Sequence, residues 1–196
     1  MAGRSRTSIG AVRSQEATDA ILKAAAELLE EEGYSGFTLD AVARRAASSK
    51  PTIYRWWSSK GALIRDVYEH SGEASLRLPD TGNLGDDLTL HIKDLWRWWR
   101  ESRAGEVFRS LLTELHLHPD LIVEFRGNFM ERRSRILRTI LQRAADRGEI
   151  TDTKRMDAAI ELLTGISWLH LLTASLDAEE RVAAAASIVA AGLTSA

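Results

Sequence analysis

Near the N-terminus, two short segments with helical signals are separated by a turn of only three residues. Thr38 is a suitable N-cap for a helix over Leu39–Ala46, because its hydroxyl can accept a hydrogen bond from the first turn. Pro51 lies where the first turn of a helix tolerates proline, so a second helix is predicted from about Lys50 to Trp57. Two such helices across the turn Ala47–Ser49 predict a helix-turn-helix.

The rest of the sequence has helical rather than strand periodicity. A first helix is predicted over about Gln15–Glu32, where apolar side chains form one stripe, and another begins near Lys60. The composition of Leu76–Asp87 is that of a linker. Five amphipathic segments follow, at about Asp87–Arg103, Gly105–His116, Asp120–Arg147, Thr153–Ser175 and Ala178–Leu193. We therefore expect an all-α protein of about nine helices.

Positive charge is concentrated at the N-terminal end, although the formal net charge is −2. The segment from Arg44 to Lys60 contains five cations and no acid. Residues 1–60 hold nine Lys and Arg against seven Asp and Glu, whereas residues 61–196 hold 17 against 21. This asymmetry indicates a polyanionic partner at one end of the molecule.

Several classes of protein are excluded or disfavoured by the composition. No apolar stretch reaches the roughly 18 residues of a transmembrane helix, and the N-terminus lacks the apolar core of a secretory signal. The absence of cysteine excludes a disulfide framework, a thiolate zinc site and a cysteine nucleophile. No phosphate-binding glycine loop, paired metal motif or nucleophile–base pair is apparent. We expect a cytoplasmic protein that is not an enzyme, needs no cofactor and does not enter a membrane.

Three histidines in the C-terminal half raise the question of a metal site. His116 and His118 are two residues apart, so on one helix they would point about 200° from each other. Pro119 disfavours helical structure at His118. We expect no metal site, and His116 or His170 would instead provide a polar group in a pocket.

The second helix of the helix-turn-helix carries side chains suited to DNA. Short or flexible hydrogen-bond donors come first, and aromatic and cationic side chains follow, with one more cation opening the next helix. In order, these are Ser49, Lys50, Thr52, Tyr54, Arg55, Trp56 and Lys60. The alternative is a helical hairpin whose basic residues are only solvated.

The stretch FTLDAVARRAASSKPTIYRWWSSKGAL resembles the signature of the TetR family of transcriptional regulators. The matching positions are Phe37, Thr38, Ala43, Ala46, Ser49, Thr52, Ile53, Tyr54, Trp57, Lys60 and Leu63. Two positions depart from the family pattern, because Ala47 replaces a turn glycine and Ser48 replaces a buried valine. A positive φ at Ala47 would cost about 1 kcal/mol.

The resemblance implies a role for each motif residue. Thr38 would cap the first motif helix and touch a phosphate. Contacts with the DNA backbone would come from Arg44, Lys50, Tyr54, Trp56 and Lys60. The major groove would be faced by Ser49, Pro51, Thr52 and Arg55. Arg55 is the best candidate for a bidentate contact with guanine, whereas Trp56 could instead pack beside Trp57.

The resemblance also implies an N-terminal DNA-binding domain of three helices over residues 1–60, with a flexible basic arm over 1–14. Residues 61–196 would form a helical bundle for effector binding and dimerisation. Its cavity would be lined by Trp96, Trp99, Phe108, Leu112, His116, Phe125, Phe129, Trp168 and Leu172. A cavity of this kind would suit a small apolar or aromatic effector. The alternative for each of these residues is simple core packing.

The last two helices are predicted to form the dimer interface. The candidates are Ile160, Leu163, Leu171, Ala184, Ile188 and Ala191. Two helices from each subunit would form a four-helix interface, although a monomer capped by an alanine-rich helix is the alternative. The whole pattern predicts a homodimer that represses transcription and leaves double-stranded operator DNA when a small molecule binds. In the alternative, a ligand-independent regulator, the crowded residues Trp96, Trp98 and Trp99 fill the cavity.

Overall fold

A computed structural model describes residues 15–72, 76–117, 122–123 and 125–194. Within these ranges helices are joined by turns and loops and no strand is present, which confirms the predicted all-α fold. The α-helices are α1 (Gln15–Gly36), α2 (Leu39–Arg45), α3 (Lys50–Trp56), α4 (Lys60–Gly72), α5 (Leu84–Glu101), α6 (Ala104–Leu117), α7 (Met130–Asp146), α8 (Met156–Leu172) and α9 (Glu179–Thr194). A π-helical turn, Phe125–Phe129, leads into α7, and a 3-10 turn, Thr153–Arg155, leads into α8. The predicted basic arm over residues 1–14 lies outside the described ranges.

Two helices differ from the sequence-based prediction. Helix α5 begins within the predicted linker, because the Asn83 side chain caps it by accepting a hydrogen bond from the backbone N–H of Asp86 at 3.0 Å. The acidic residues that follow Gly85 belong to the first turn, where the helix dipole favours negative charge. Within the long helix predicted from Asp120, residues 125–129 form a π-helical turn that runs directly into α7.

The chain divides into two compact units, Met1–Val67 and Tyr68–Ala196, so the division falls inside α4, beyond residue 60. In the N-terminal unit, the apolar stripe of α1 is buried together with Phe37, Val42 and Ile53. Trp57 is also buried, and its Nε1–H donates a hydrogen bond to Asp66 Oδ2 at 2.8 Å. This packing holds α2 and α3 in a fixed arrangement.

Helix α5 is the central element of the C-terminal unit and contacts α6, α7, α8 and α9. Its buried stripe includes Leu84, Leu88, Ile92, Trp96 and Trp99, as expected for a strongly amphipathic helix. None of the helices in the described ranges is both long and apolar enough to cross a membrane.

Candidate DNA-binding surface and effector cavity

The turn between α2 and α3 is a Schellman motif with alanine at the position that usually carries glycine. The backbone N–H of Ser48 donates to the Ala43 carbonyl at 2.9 Å, and that of Ala47 donates to the Arg44 carbonyl at 3.3 Å. Ala47 has a φ of 49°, in the left-handed region that costs a residue with a Cβ about 1–2 kcal/mol. The positive φ considered for this position is therefore present, and the turn remains closed.

Both motif helices begin with a hydroxyl cap. Thr38 Oγ1 accepts from the backbone N–H of Ala41 at 3.1 Å, and Ser49 Oγ accepts from that of Thr52 at 3.2 Å. The hydroxyls of Ser49 and Thr52 also form a hydrogen bond at 2.8 Å. These bonds fix the start of α3, so the serine and threonine that were predicted to face the major groove first serve the helix itself.

Helix α3 presents most of its surface outward. Ile53 is fully buried, whereas Ser49, Lys50, Pro51, Tyr54, Arg55 and Trp56 are exposed. Trp56 is 36% exposed and its neighbour Trp57 only 1%, which separates the two tryptophans predicted to share this end of the helix. The outward face thus combines a guanidinium, a phenol and an indole, groups able to contact phosphates and base edges.

The cations of this unit differ in their availability. Lys50 Nζ lies 2.6 Å from Asp40 Oδ2, and Lys60 Nζ donates to the Tyr34 carbonyl and lies 3.7 Å from the centre of the Tyr34 ring. Arg44 and Arg55 are exposed and have no carboxylate partner within the described part of the chain. The two arginines can therefore meet a phosphate or a base without breaking an ion pair.

An aromatic cluster occupies the centre of the C-terminal unit. Five aromatic rings surround that of Phe108, with ring centres 4.7–6.4 Å from its own. They belong to Tyr68, Trp99, Phe125, Phe129 and Trp168. Phe125 and Phe129 stack at 4.6 Å, because the π-helical turn brings residues four apart nearly into line. Trp99 Nε1–H donates to the Tyr68 hydroxyl at 2.7 Å, so the polar atoms at this point in the cluster are paired.

A cavity of about 40 Å³ adjoins this cluster, between α5, α7 and α8. Four of the predicted cavity residues line it, namely Trp99, Phe108, Phe129 and Trp168. Its volume is enough for a few water molecules, at roughly 10–15 Å³ each, and is below the roughly 300 Å³ of a typical ligand pocket. The aromatic side chains therefore occupy most of the space that a ligand would use.

The other predicted cavity residues do not line this cavity. The exception is His116, whose side chain lies outside the described part of the chain. Trp96 belongs to the same buried stripe of α5 and packs beside His170, with ring centres 4.6 Å apart, but it does not line the cavity. Phe125 packs behind Phe129, and Leu112 is not part of the wall. Leu172 is exposed at the end of α8. Four residues that were predicted to line the cavity are therefore not part of its wall, namely Trp96, Leu112, Phe125 and Leu172.

Histidine does not form a metal centre in the described part of the chain, where no three potential ligands lie together. His170 is buried, and its Nδ1 lies 3.0 Å from the Ser175 carbonyl oxygen and 2.8 Å from Ser175 Oγ. Its role is to tie the end of α8 to the following turn. His118 lies outside the described residues.

His91 is a polar cavity residue that the sequence analysis missed. The side chain is buried, and desolvation, together with the nearby positive charge of Arg133, lowers its pKa from 6.5 to about 4. A hydrogen bond to the backbone of Arg77 opposes this shift. Nδ1 has no hydrogen-bond partner among the described atoms. The signal was its place on the apolar stripe of α5, between Leu88 and Leu95, where a polar side chain is unusual.

The predicted interface residues fall into two groups. Ile160, Leu163 and Leu171 are buried within a single chain, and Leu163 lines the cavity, so they have no surface to offer a second chain. Ala184, Ile188 and Ala191 on α9 are exposed, with Ile188 73% exposed. Three leucines on the outer side of α8 are also exposed, namely Leu162 (64%), Leu169 (58%) and Leu172 (53%), of which Leu172 was predicted to line the cavity instead. Their spacing of seven and three residues places them on one helix face.

Known proteins resemble both halves of the chain. The family model described as bacterial regulatory proteins, tetR family, matches residues 21–67, and the model of the tetracyclin repressor-like C-terminal domain matches residues 78–190. The HTH-type transcriptional regulator YdeS of Bacillus subtilis (strain 168) is 34% identical over 163 residues, which are 83% of this chain and 82% of that protein. The corresponding regulator Mb1581 of Mycobacterium bovis is 36% identical over 146 residues, covering 74% and 71%.

A solved structure shows the same architecture. The crystal structure of the TetR family transcription regulator SCO0332 superposes with a TM-score of 0.77 at 28% identity, covering 91% of this chain and 98% of that one. The first family model spans the helix-turn-helix of α2 and α3, and the second spans most of α5 to α9. The resemblance seen in the signature is confirmed, and the chain belongs to the TetR family of transcriptional regulators, which bind DNA through a helix-turn-helix.

Proposed function

We propose that the protein is a homodimeric repressor that binds operator DNA through α3 and leaves it when a small molecule occupies the cavity of the C-terminal unit. The observation that carries this proposal is the outward face of α3, where Tyr54 and Arg55 are exposed opposite the buried Ile53. Such a face is what a recognition helix presents to the major groove. Because its partner is genomic DNA, we place the protein in the cytoplasm.

Arg44 and Arg55 have different roles in this proposal. Arg55 projects from the last turn of the recognition helix and would make the sequence-specific contact, preferably with a guanine. Arg44 stands on α2, the helix that crosses the DNA backbone in this motif, and would neutralise a phosphate. The hydroxyl caps Thr38 and Ser49 would add phosphate and groove contacts through the oxygen lone pairs and protons left after capping.

Dimerisation is supported by the exposed apolar side chains of α8 and α9. Leu162, Leu169 and Leu172 form a stripe on α8, and Ile188 is the most exposed large apolar residue on α9. Burying these side chains against a second copy would stabilise the dimer by about 1.5–3 kcal/mol for each fully buried leucine or isoleucine. A twofold axis would then place the two recognition helices about 34 Å apart, in successive major grooves.

Control by a ligand is supported by a cavity whose wall combines aromatic rings with polar groups. A second function, ligand-independent DNA binding, is favoured by the small volume of about 40 Å³ in this conformation. The two differ in a measurable way. A ligand-controlled repressor binds some small molecule in the cavity and then loses operator affinity, and the reciprocal coupling makes DNA weaken ligand binding equally.

The experiment is fluorescence anisotropy with DNA from the region upstream of the protein's own gene, at two salt concentrations. Arg55→Ala is expected to weaken operator binding about 10- to 100-fold and to relax the sequence preference. Arg44→Ala is expected to weaken binding to all sequences and to lower the salt slope by about 1. Lys154→Ala removes an exposed cation of the C-terminal unit and serves as the matched control. Equal affinity for every DNA sequence would contradict the operator assignment.

A further inference from the structure

The guanidinium of Arg133 occupies an unusual position in the C-terminal unit. It lines the cavity described above and also a second groove, which Glu69, Leu76 and Arg132 share. It lies 5.0 Å from the centre of the Tyr68 ring. Within the described part of the chain Arg133 has no carboxylate partner, whereas its neighbour Arg132 pairs with Glu69. A partly buried cation without an anion loses hydration that nothing charged replaces. An anionic group placed in the cavity would compensate for this loss.

His91 supplies a second, independent feature on the same wall. The hydrogen bond to the backbone of Arg77 must use Nε2, because Nδ1 is the ring nitrogen without a partner. In the neutral tautomer with the proton on Nε2, Nδ1 is a buried hydrogen-bond acceptor. Buried polar atoms are normally paired, so this acceptor is suited to a donor on a ligand.

The remaining walls define the shape of that ligand. Phe108 and Phe129 are stacked with an angle of 21° between their planes, and Trp168 meets Phe108 edge-on at 68°. Nearly parallel rings beside a perpendicular one favour a flat body over a branched or chain-like one. The cavity of about 40 Å³ must widen to admit any ring, and a single ring requires the smallest movement of its walls.

We propose that the cavity recognises aromatic carboxylic acids that carry a hydroxyl or amino group, with the carboxylate bound by Arg133 and the donor bound by His91 Nδ1. This inference rests on the proposed function, since it names the effector class of that same site. An uncharged apolar compound would leave both polar groups unpaired, and an organic cation would be repelled by Arg133. The acid satisfies both groups and retains the aromatic contacts.

The test uses 4-hydroxybenzoate and its neutral isostere 4-hydroxybenzamide, with binding followed by the intrinsic tryptophan fluorescence of the full-length protein, to which Trp99 and Trp168 in the cavity wall contribute. The acid is expected to bind about 10- to 100-fold more tightly than the amide, the difference made by a charge-assisted hydrogen bond. Equal or tighter binding of the amide overturns the proposal. Failure of 4-hydroxybenzoate and of every acid in a panel of monocyclic and bicyclic hydroxy and amino aromatic acids to bind at millimolar concentration also overturns it.

Two variants assign the contacts. Arg133→Gln is expected to abolish the preference for the acid, whereas Arg138→Gln, which removes an exposed arginine of α7 paired with Asp157, should leave it unchanged. His91→Leu is expected to erase the advantage of 4-hydroxybenzoate over benzoate, and His91→Gln to restore part of it, because the amide oxygen can accept the same hydrogen bond. An acid preference that survives Arg133→Gln contradicts the assignment even if the variants fold normally.

A parallel measurement with operator DNA separates this inference from the proposed function. If neutral aromatic compounds bind and release the DNA while the acids do not, ligand control stands and the effector class proposed here is wrong. If the acids bind as expected but never alter DNA affinity, the effector class of the cavity stands and its regulatory role fails. Both results are obtained with the same protein preparation and the same anisotropy assay.

Discussion

The Schellman turn between α2 and α3 leads to a prediction about stability. Ala47 adopts a φ of 49°, and replacing it with glycine removes a conformational cost of about 1–2 kcal/mol. Glycine also raises the entropy of the unfolded chain, which offsets about 0.4–1 kcal/mol of that gain. We therefore expect Ala47→Gly to raise the free energy of unfolding by about 0.5–1 kcal/mol. For a chain of this length, that corresponds to an increase in melting temperature of about 1–4 °C.

Two matched substitutions test the reasoning behind this value. Ala174 ends α8 in the same geometry, with a φ of 54° and a 2.9 Å hydrogen bond from the Ser175 N–H to the His170 carbonyl, so Ala174→Gly should stabilise similarly. Ala26→Gly, at an exposed position within α1, should instead destabilise by about 1 kcal/mol. Thermal and urea unfolding are followed by circular dichroism at one protein concentration, because dimer stability depends on it. Destabilisation by Ala47→Gly equal to that of Ala26→Gly would refute the argument.

Further predictions concern acid stability and assembly. The unfolded chain protonates His91 near pH 6.5 and the folded chain only near 4, so acidification through this interval should cost the wild type about 3 kcal/mol. The free energy of unfolding of His91→Gln, measured with urea at pH 7 and 4.5, should not show this loss. If the variant and the wild type depend on pH identically, His91 is not the cause. Leu169→Glu should weaken dimerisation by at least about 100-fold in analytical ultracentrifugation, because the twofold axis counts the substitution twice. Leu90→Glu, at an exposed leucine of α5, should leave dimerisation unchanged. If both substitutions weaken dimerisation equally, the α8 stripe is not the interface.

The helix-turn-helix was predictable because its signals are local. Thr38 and Ser49 cap the two helices, and Pro51 fits only the first turn of the second. Each of these residues acts on backbone within four positions of itself, so no knowledge of the tertiary structure is needed. The strained conformation of Ala47 was expected on a different ground, because the family pattern has a glycine at this position.

Other boundaries depend on interactions that the sequence does not display. The start of α5 is stabilised by Glu149, whose carboxylate accepts a hydrogen bond from the backbone N–H of Leu84 at 2.8 Å across 65 positions of sequence. Composition alone favoured a linker there. The π-helical turn at Phe125–Phe129 likewise has no sequence signal of its own, and aromatic stacking within the unit accompanies it.

The proposed interface residues and the cavity residues of α8 were harder to separate, because this helix is apolar on nearly every side. Leu162 and Leu163 are adjacent in sequence, yet one is exposed and the other lines the cavity. Hydrophobic periodicity cannot tell which of two equally apolar helix faces is buried within the chain and which is exposed, because both faces satisfy the same pattern. The choice is made by the packing of α5 and α7 against one of them. Leu163, which was predicted to lie at the dimer interface, is therefore a buried residue of the cavity wall, and the interface on α8 stays a prediction.

In the proposed ligand control, the binding energy available from the cavity limits how far DNA binding can be weakened. An effector weakens DNA binding only by the difference in its affinity for the two conformations of the protein. The interaction of Arg133 with a carboxylate contributes about 10- to 100-fold, whereas a switch from 99% to 1% of the binding-competent state requires about 10⁴-fold. Even if that interaction were made in only one conformation, at least another 100-fold must come from the aromatic wall. A complete release of DNA therefore requires that Phe108 and its neighbours rearrange around the ligand, and that the cavity be larger when occupied than the 40 Å³ seen here.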